Sequence, residues 1–319
     1  MVPPTLYERG SAMYRNTLAL ARKAVIASRF GFPEVLLHFG IAPGDDLLCT
    51  AVLRELKKRG RERLWIMSNF PELFAGMNDA AHVIPVDQHG ESWGRRYKHL
   101  EYARYDPQLD RGQPTTRHVI AELCARAGVT GEVDIRPYLS LTETERNGAA
   151  WASGQIVIQN SGMGARFSML NKEWFPERFQ AVVNSLHREI KFIQIGLAGD
   201  PPLVNALDLR GKTSIRESAA ILAQARLFVG IEGFVMHIAR AMECPAVIVL
   251  GGRTAPWQFG YTCNVNLYSP LPCSPCWLWN RCDYGRACLD MITTGDVING
   301  IKQVLGNPRG ALAVDKTVI

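Results

Sequence analysis

Leu227-Phe-Val-Gly230, then Ile231-Glu-Gly-Phe-Val-Met-His237-Ile-Ala-Arg-Ala-Met242, then Ala246-Val-Ile-Val-Leu250-Gly251-Gly252 is the stretch that decides the fold. Two short apolar runs flank a segment whose apolar residues recur at helical spacing, so the order reads strand, helix, strand. Strands that are apolar at every position are buried on both faces, which is the habit of parallel sheets. Packed side chains leave no room for chemistry along such strands, and ligands collect beyond their carboxyl ends. Here those positions offer Glu232 and, on the following helix, His237.

Working outward, the same alternation recurs. Val35–Phe39 reads as a strand, Asp45–Lys58 as a helix, Leu64–Met67 as a strand, then a short helix and a strand His82–Val86. The polar region from Gln88 to Gln113 has no clear period, and a helix from His118 to Ala127 follows. Arg136-Pro-Tyr-Leu-Ser-Leu-Thr-Glu-Thr-Glu-Arg146 reads as an extended strand and a crossing near residue 150. The chain is thus expected to divide into domains 1–150 and 151–319. The second restarts with Ile156–Ile158, a helix from Pro176, a strand Ile190–Ile195 and a helix opened by the capping box Ser214-Ile-Arg-Glu217. An amphipathic helix from Gly295 to Leu305 ends the pattern. Apolar strands separated by amphipathic helices imply two doubly wound α/β domains. In the first thirty residues Leu18, Leu20, Ala21, Ala24 and Val25 form an apolar side against Arg15, Arg22 and Lys23. That side is expected to pack on its own domain, with contact to an acidic membrane as the alternative.

At 319 residues, 47% apolar, two cores are feasible. No apolar run approaches the roughly 20 residues that span a bilayer and no secretion signal opens the sequence, so a cytoplasmic protein is expected. The net charge of +6 is scattered. It suits an anionic small substrate or an acidic lipid surface, and argues against nucleic acid, which needs a concentrated basic stripe with interleaved aromatics. Eight cysteines without a secretion signal argue against a disulfide scaffold. Cys273-Ser-Pro-Cys276, Cys282 and Cys288 instead offer four thiolates to one tetrahedral ion, structural zinc or iron, the alternative being packed thiols.

Glu232-Gly-Phe followed by His237, Gly44-Asp45-Asp46-Leu-Leu-Cys-Thr-Ala-Val-Leu-Arg-Glu-Leu, Lys172-Glu-Trp-Phe-Pro-Glu-Arg-Phe and the cysteine segment together resemble glycosyltransferase family 9, best known for ADP-heptose:lipopolysaccharide heptosyltransferases. The resemblance implies GT-B architecture: two Rossmann-like doubly wound parallel-sheet domains facing a cleft, acceptor on the first and nucleotide sugar on the second. It implies that Asp45 is the catalytic base, that Lys172 lies beside the donor's phosphates, and that Glu232 stands where the family has an aspartate near the donor sugar. His237 fits the family's histidine, or packs on the sheet with its ring bonded to backbone.

Sugar transfer from a nucleotide diphosphate needs a base for the acceptor hydroxyl and positive groups for the departing diphosphate. Residues Asn160-Ser-Gly-Met-Gly-Ala-Arg166 follow a strand and present backbone that can approach phosphate, so Ser161, Arg166 and Ser168 are further donor-binding candidates. Phe167 stands where a dinucleotide fingerprint needs its third glycine, which disfavours hydride transfer. The expected activity is inverting transfer of a sugar, heptose from ADP-heptose first, to a bacterial glycan, glycolipid or protein, with no cofactor required for transfer and peripheral contact with the inner membrane. The rivals are a nucleotide-sugar epimerase and an inactive nucleotide-sugar-binding homologue.

Overall fold

The computed structural model describes residues 6–40, 42–80, 82–86, 90–306 and 315–319. The first sheet holds β1 (Val35–His38), β2 (Leu64–Met67), β3 (His82–Ile84) and β4 (Tyr97–His99), all parallel, in the order β3-β2-β1-β4. A small hairpin, β5 (Tyr105–Asp106) and β6 (Arg111–Gly112), and β7 (Glu132–Asp134) follow. The second sheet holds β8 (Ile156–Ile158), β9 (Phe192–Gln194), β10 (Ala206–Asp208), β11 (Leu227–Ile231), β12 (Ala246–Gly251) and β13 (Val265–Tyr268). Its order, β10-β9-β8-β11-β12-β13, is the Rossmann order 3-2-1-4-5-6 counted from β8. In both sheets the chain reverses direction beside its first strand, opening a crevice at the carboxyl ends of β1 and β8. Every residue of β2, β8, β11 and β12 is buried, as parallel strands covered on both faces require.

The helices are α1 (Leu6–Phe30), α2 (Pro43–Lys58), α3 (Val119–Ala127), α4 (Glu143–Gly148), α5 (Pro176–Leu186), α6 (Ile215–Gln224), α7 (Phe234–Ala241), α8 (Pro256–Phe259), α9 (Ala287–Asp290) and α10 (Thr294–Gly306). Pro43 at its start, Asp45 and Asp46 in its first turn and Lys57 and Lys58 in its last align α2 with its own dipole. Two expectations fail here. Arg136–Arg146 is not a strand: β7 ends before it, and Thr142 with Glu145 forms a capping box that starts α4. The apolar side expected to bury α1 is instead exposed, with Leu18, Leu20 and Val25 at 51, 60 and 65%. Among the described side chains of this helix Ile26 packs inward, and Lys23 lies 5.2 Å from the Trp93 ring rather than in water.

The two sheets are tied together at several places. Arg216 on α6 pairs with Glu145 at 2.5 Å and donates to the carbonyls of Glu72 and Ser140. The final strand β14 (Lys316–Val318) returns to pair antiparallel with β7. The β5–β6 hairpin reaches the cysteine segment. The Asp110 carbonyl accepts from the Trp279 amide, its carboxylate accepts from the Asn280 and Arg281 amides at 2.7 Å each, and Tyr105 lies 4.1 Å from the Trp279 ring. Asp110 holds this turn at φ 49, a conformation that short polar side chains tolerate. Asp110→Ala is expected to cost about 1–2 kcal/mol in chemical denaturation, since water competes for the exposed carboxylate. It should also raise the rate of proteolysis within residues 277–286, and an unchanged cleavage rate would show that the hairpin does not hold this segment.

Candidate active site

The crevice gathers residues from the carboxyl ends of strands in both sheets. From the first sheet, β1 leads through Gly40 into α2, where Asp45 and Asp46 are about 100° apart around the helix axis. They diverge accordingly. Asp46 is buried in its own domain, where it accepts a very short hydrogen bond from the Ser68 hydroxyl at the end of β2, and burial pushes its carboxyl up to about 7. Asp45 lies against Gly40, and a Cβ added there would collide with its Oδ2. Burial raises its carboxyl to about 6, against the pull of the Lys172 ammonium from the other sheet. Gly44 faces Phe234 at the start of α7, where a Cβ would meet the phenylalanine at 3.9 Å.

From the second sheet come Lys172, Glu232, Arg253 and Thr254. Lys172 ends a short 3-10 turn, Leu170–Lys172, four residues before α5 begins. Trp174, buried and donating through Nε1 to the Ile292 carbonyl, pins that turn. The lysine therefore serves no helix terminus. Its ammonium is 2.7 Å from Glu232 Oε1. Glu232 directly follows β11 and is itself buried; Thr254 donates to its Oε2 at 3.1 Å and Arg253 Nη1 stands 3.5 Å from the same oxygen. Burial alone would raise the Glu232 carboxyl, but Lys172 and Arg253 more than offset that, so it is held below the usual carboxylate range and ionised. Burial also lowers the Lys172 ammonium below its ordinary value. His237 is buried, with Nδ1 2.7 Å from the Tyr261 hydroxyl rather than bonded to backbone, and burial lowers it to about 3, so it is neutral near pH 7.

The remaining candidates are dispersed. Ser161 is buried and its hydroxyl accepts from the Met163 amide, while Glu173 accepts from the neighbouring Gly162 amide. Arg166 is exposed over the Phe167 ring and Ser168 is half-buried. Cys273, Cys276, Cys282 and Cys288 line one cavity of about 50 Å³ together with Arg253. Four soft donors around one cavity fit zinc or iron by donor chemistry, although among the described residues no three His, Cys, Asp or Glu side chains already stand at ligating positions around one point. Gly252, at the end of β12, has no space for a side chain: a Cβ would meet Cys288 Cβ at 2.8 Å.

Three residues of the site escaped the sequence reading. Arg253 and Thr254 lie just past the Gly251-Gly252 pair, and the rule that selects Glu232, a polar group beyond a strand's carboxyl end, selects them too. Tyr102 had no such signal. It comes from the unassigned polar region, packs edge-on to Phe259 at 5.5 Å, and burial first, then Asp45 and Glu232, push its hydroxyl well above the ordinary range.

The model of glycosyltransferase family 9 (heptosyltransferase) matches residues 132–277. That match spans just under half of the chain, most of it in the second sheet's half. No curated protein matches the chain by sequence. Among solved structures, it is similar to Escherichia coli ADP-heptose LPS heptosyltransferase II, with a TM-score of 0.63 at 15% identity over 85% of this chain and 98% of that one. It is similar to the iron-containing dodecameric glycosyltransferase TibC of enterotoxigenic E. coli H10407, with a TM-score of 0.64 at 18% identity over 86% of this chain and 76% of that one. TibC in complex with ADP-D-β-D-heptose aligns at 0.61 and 15% identity over the same shares. The architecture of this chain is GT-B.

Gly40→Ala tests how Asp45 is seated, because the added methyl would meet the Asp45 side chain from Oδ2 back to Cβ and so displace the carboxylate. The thermal midpoint should move by no more than a few degrees, whereas sugar-transfer turnover should drop at least tenfold, as catalytic groups tolerate only about 0.5 Å of displacement. Full turnover in this variant would show that the Asp45 position is not critical.

Proposed function

We propose that the chain is an inverting glycosyltransferase that moves heptose from ADP-heptose to a bacterial glycan, glycolipid or protein acceptor. The observation that carries this reading is the meeting of Asp45 from the first sheet with the Lys172–Glu232 pair from the second, across the crevice where both sheets present their carboxyl ends. Asp45 is the base that takes the acceptor's hydroxyl proton, the first domain being the acceptor side and the second, from about residue 151, the donor side. A base works best with a pKa near the operating pH, and a carboxyl at about 6 is ionised at pH 7 yet still basic enough to accept a proton in the transition state. Lys172 stabilises the diphosphate as it leaves, so direct displacement proceeds on protein charge. Glu232 faces the donor sugar. His237, neutral and fixed by Tyr261, shapes the donor pocket, to which Ser161, Arg166 and Ser168 contribute from the loop after β8.

ADP-heptose is favoured as donor because TibC, a structural relative, is known in complex with that sugar nucleotide. Cys273, Cys276, Cys282 and Cys288 would hold one structural zinc or iron, whose role is to fix the segment beside β12. In support of a peripheral seat on the cytoplasmic face of the inner membrane, α1 displays Leu18, Leu20 and Val25 beside Arg22 and Arg29. Among the described residues no helix is long and apolar enough to cross a membrane.

Asp45→Asn should lower transfer turnover by about two to four orders of magnitude with donor affinity nearly intact, and Asp46→Asn should leave turnover within a few-fold of wild type. The reverse pattern would move the base to Asp46. The wild-type pH profile should carry the matching signature. Because the base must be ionised, log kcat/KM should rise with unit slope up to a break near pH 6 and level off above it, and that acid limb should vanish in Asp45→Asn. Elemental analysis of protein purified without a histidine tag should find about one zinc or iron per chain, lost when Cys273 and Cys276 are both replaced by Ser. A metal-free wild type of full stability would rule the cluster out.

A further inference from the structure

Arg253 is among the most deeply buried charges of the second domain, its side chain only 4% exposed. Its three anchors point in two directions. Toward the crevice, Nη1 stands 3.5 Å from Glu232 Oε2 and makes no hydrogen bond. Away from it, Nε donates to the Leu278 carbonyl at 3.1 Å and the guanidinium lies 5.6 Å from the Trp277 ring. The Arg253 carbonyl in turn accepts from the Trp277 amide at 3.0 Å, and the Gly252 carbonyl accepts from the Cys276 amide at 3.3 Å. Cys276-Trp277-Leu278 is therefore zipped onto the end of β12, and the side chain that leaves this zipper reaches Glu232.

Glu232 has a long, flexible side chain that must be held at one point to read a sugar. Lys172 takes one carboxylate oxygen; Thr254 and Arg253 take the other. A guanidinium anchored through Nε to the Leu278 carbonyl and held at ion-pair range of Glu232 suits this task, since its planar fork loses little entropy when it engages a carboxylate. We propose that Arg253 is a positioning residue for the donor's sugar: seated in the cysteine segment, it orients the Glu232 carboxylate and so links the order of residues 276–278 to selection of sugar nucleotide over bare nucleotide. This rests on the glycosyltransferase reading. It makes Arg253 act through Glu232, with no contact of its own to the diphosphate.

Calorimetric titration of the full chain with ADP-D-β-D-heptose and with ADP tests it, using wild type, Arg253→Met, Arg253→Lys, Glu232→Gln and the double variant Arg253→Met/Glu232→Gln. Arg253→Met should weaken binding of the sugar nucleotide about tenfold and leave ADP within about threefold, and the double variant should bind as Glu232→Gln alone does, because residues acting through one another are not additive. Arg253→Lys keeps the charge, guards against loss of folding, and should show the same selective loss to a smaller degree because it cannot keep both anchors. Additive losses, or equal losses for ADP and the sugar nucleotide, overturn the proposal while leaving the enzyme reading intact. Wild-type protein that binds neither ligand overturns the reading itself and the proposal with it.

Discussion

An ionised carboxylate removed from water must be met by positive charge, and Glu232 is removed from water where the two domains meet. Its surroundings follow from that constraint. Lys172 is brought in by a tight turn that Trp174 pins, Thr254 and Arg253 by the end of β12, and the cysteine segment closes behind Arg253. Loss of one partner from such a group leaves a buried charge uncompensated, which costs about 3–5 kcal/mol in comparable pairs. The cluster is thus both a structural joint and, in the function proposed here, a donor site whose parts hold one another in place.

Asp45 reaches the same cluster from the opposite sheet by a different device. A helix that starts at the carboxyl end of a strand turns successive side chains by about 100°, so an Asp-Asp pair sends one acid into the crevice and the other into the domain. Ser68 captures the inward one. The β5–β6 hairpin and Arg216 are among the contacts that tie the two halves together around this cluster.

Period and burial made most of the fold legible. Val35–His38, Leu64–Met67, Leu227–Ile231 and Ala246–Gly251 are short, largely apolar runs that suit a doubly covered parallel sheet, and the alternation with α2, α6 and α7 follows. Short edge elements were not legible. The strands β10, β13 and β14 each hold three or four residues and are half-exposed, too brief for a period to declare itself. The Arg136–Arg146 stretch misled because apolar residues at every second position look like a strand, while the decisive local signal was the Thr142-to-Glu145 capping box. In the site, position beyond a strand was enough to single out Glu232, whereas Asp45 and Lys172 were picked out by the family resemblance. It said nothing of Tyr102, which arrives by tertiary packing from a segment without period, nor of the exposed side of α1, which depends on what the neighbouring strand leaves uncovered.

Whether the crevice holds a sugar nucleotide through Lys172 is measured most directly by thermal unfolding of wild type and Lys172→Ala with ADP-, UDP- and GDP-linked sugars. A ligand at about one hundred times its Kd stabilises the folded state by about 2.7 kcal/mol, enough to move the midpoint by several degrees. The account predicts a clear upward shift with the ADP-linked sugar that is lost in Lys172→Ala, each shift being taken from that protein's own midpoint without ligand. No shift with any sugar nucleotide, or a shift that Lys172→Ala keeps in full, would contradict it.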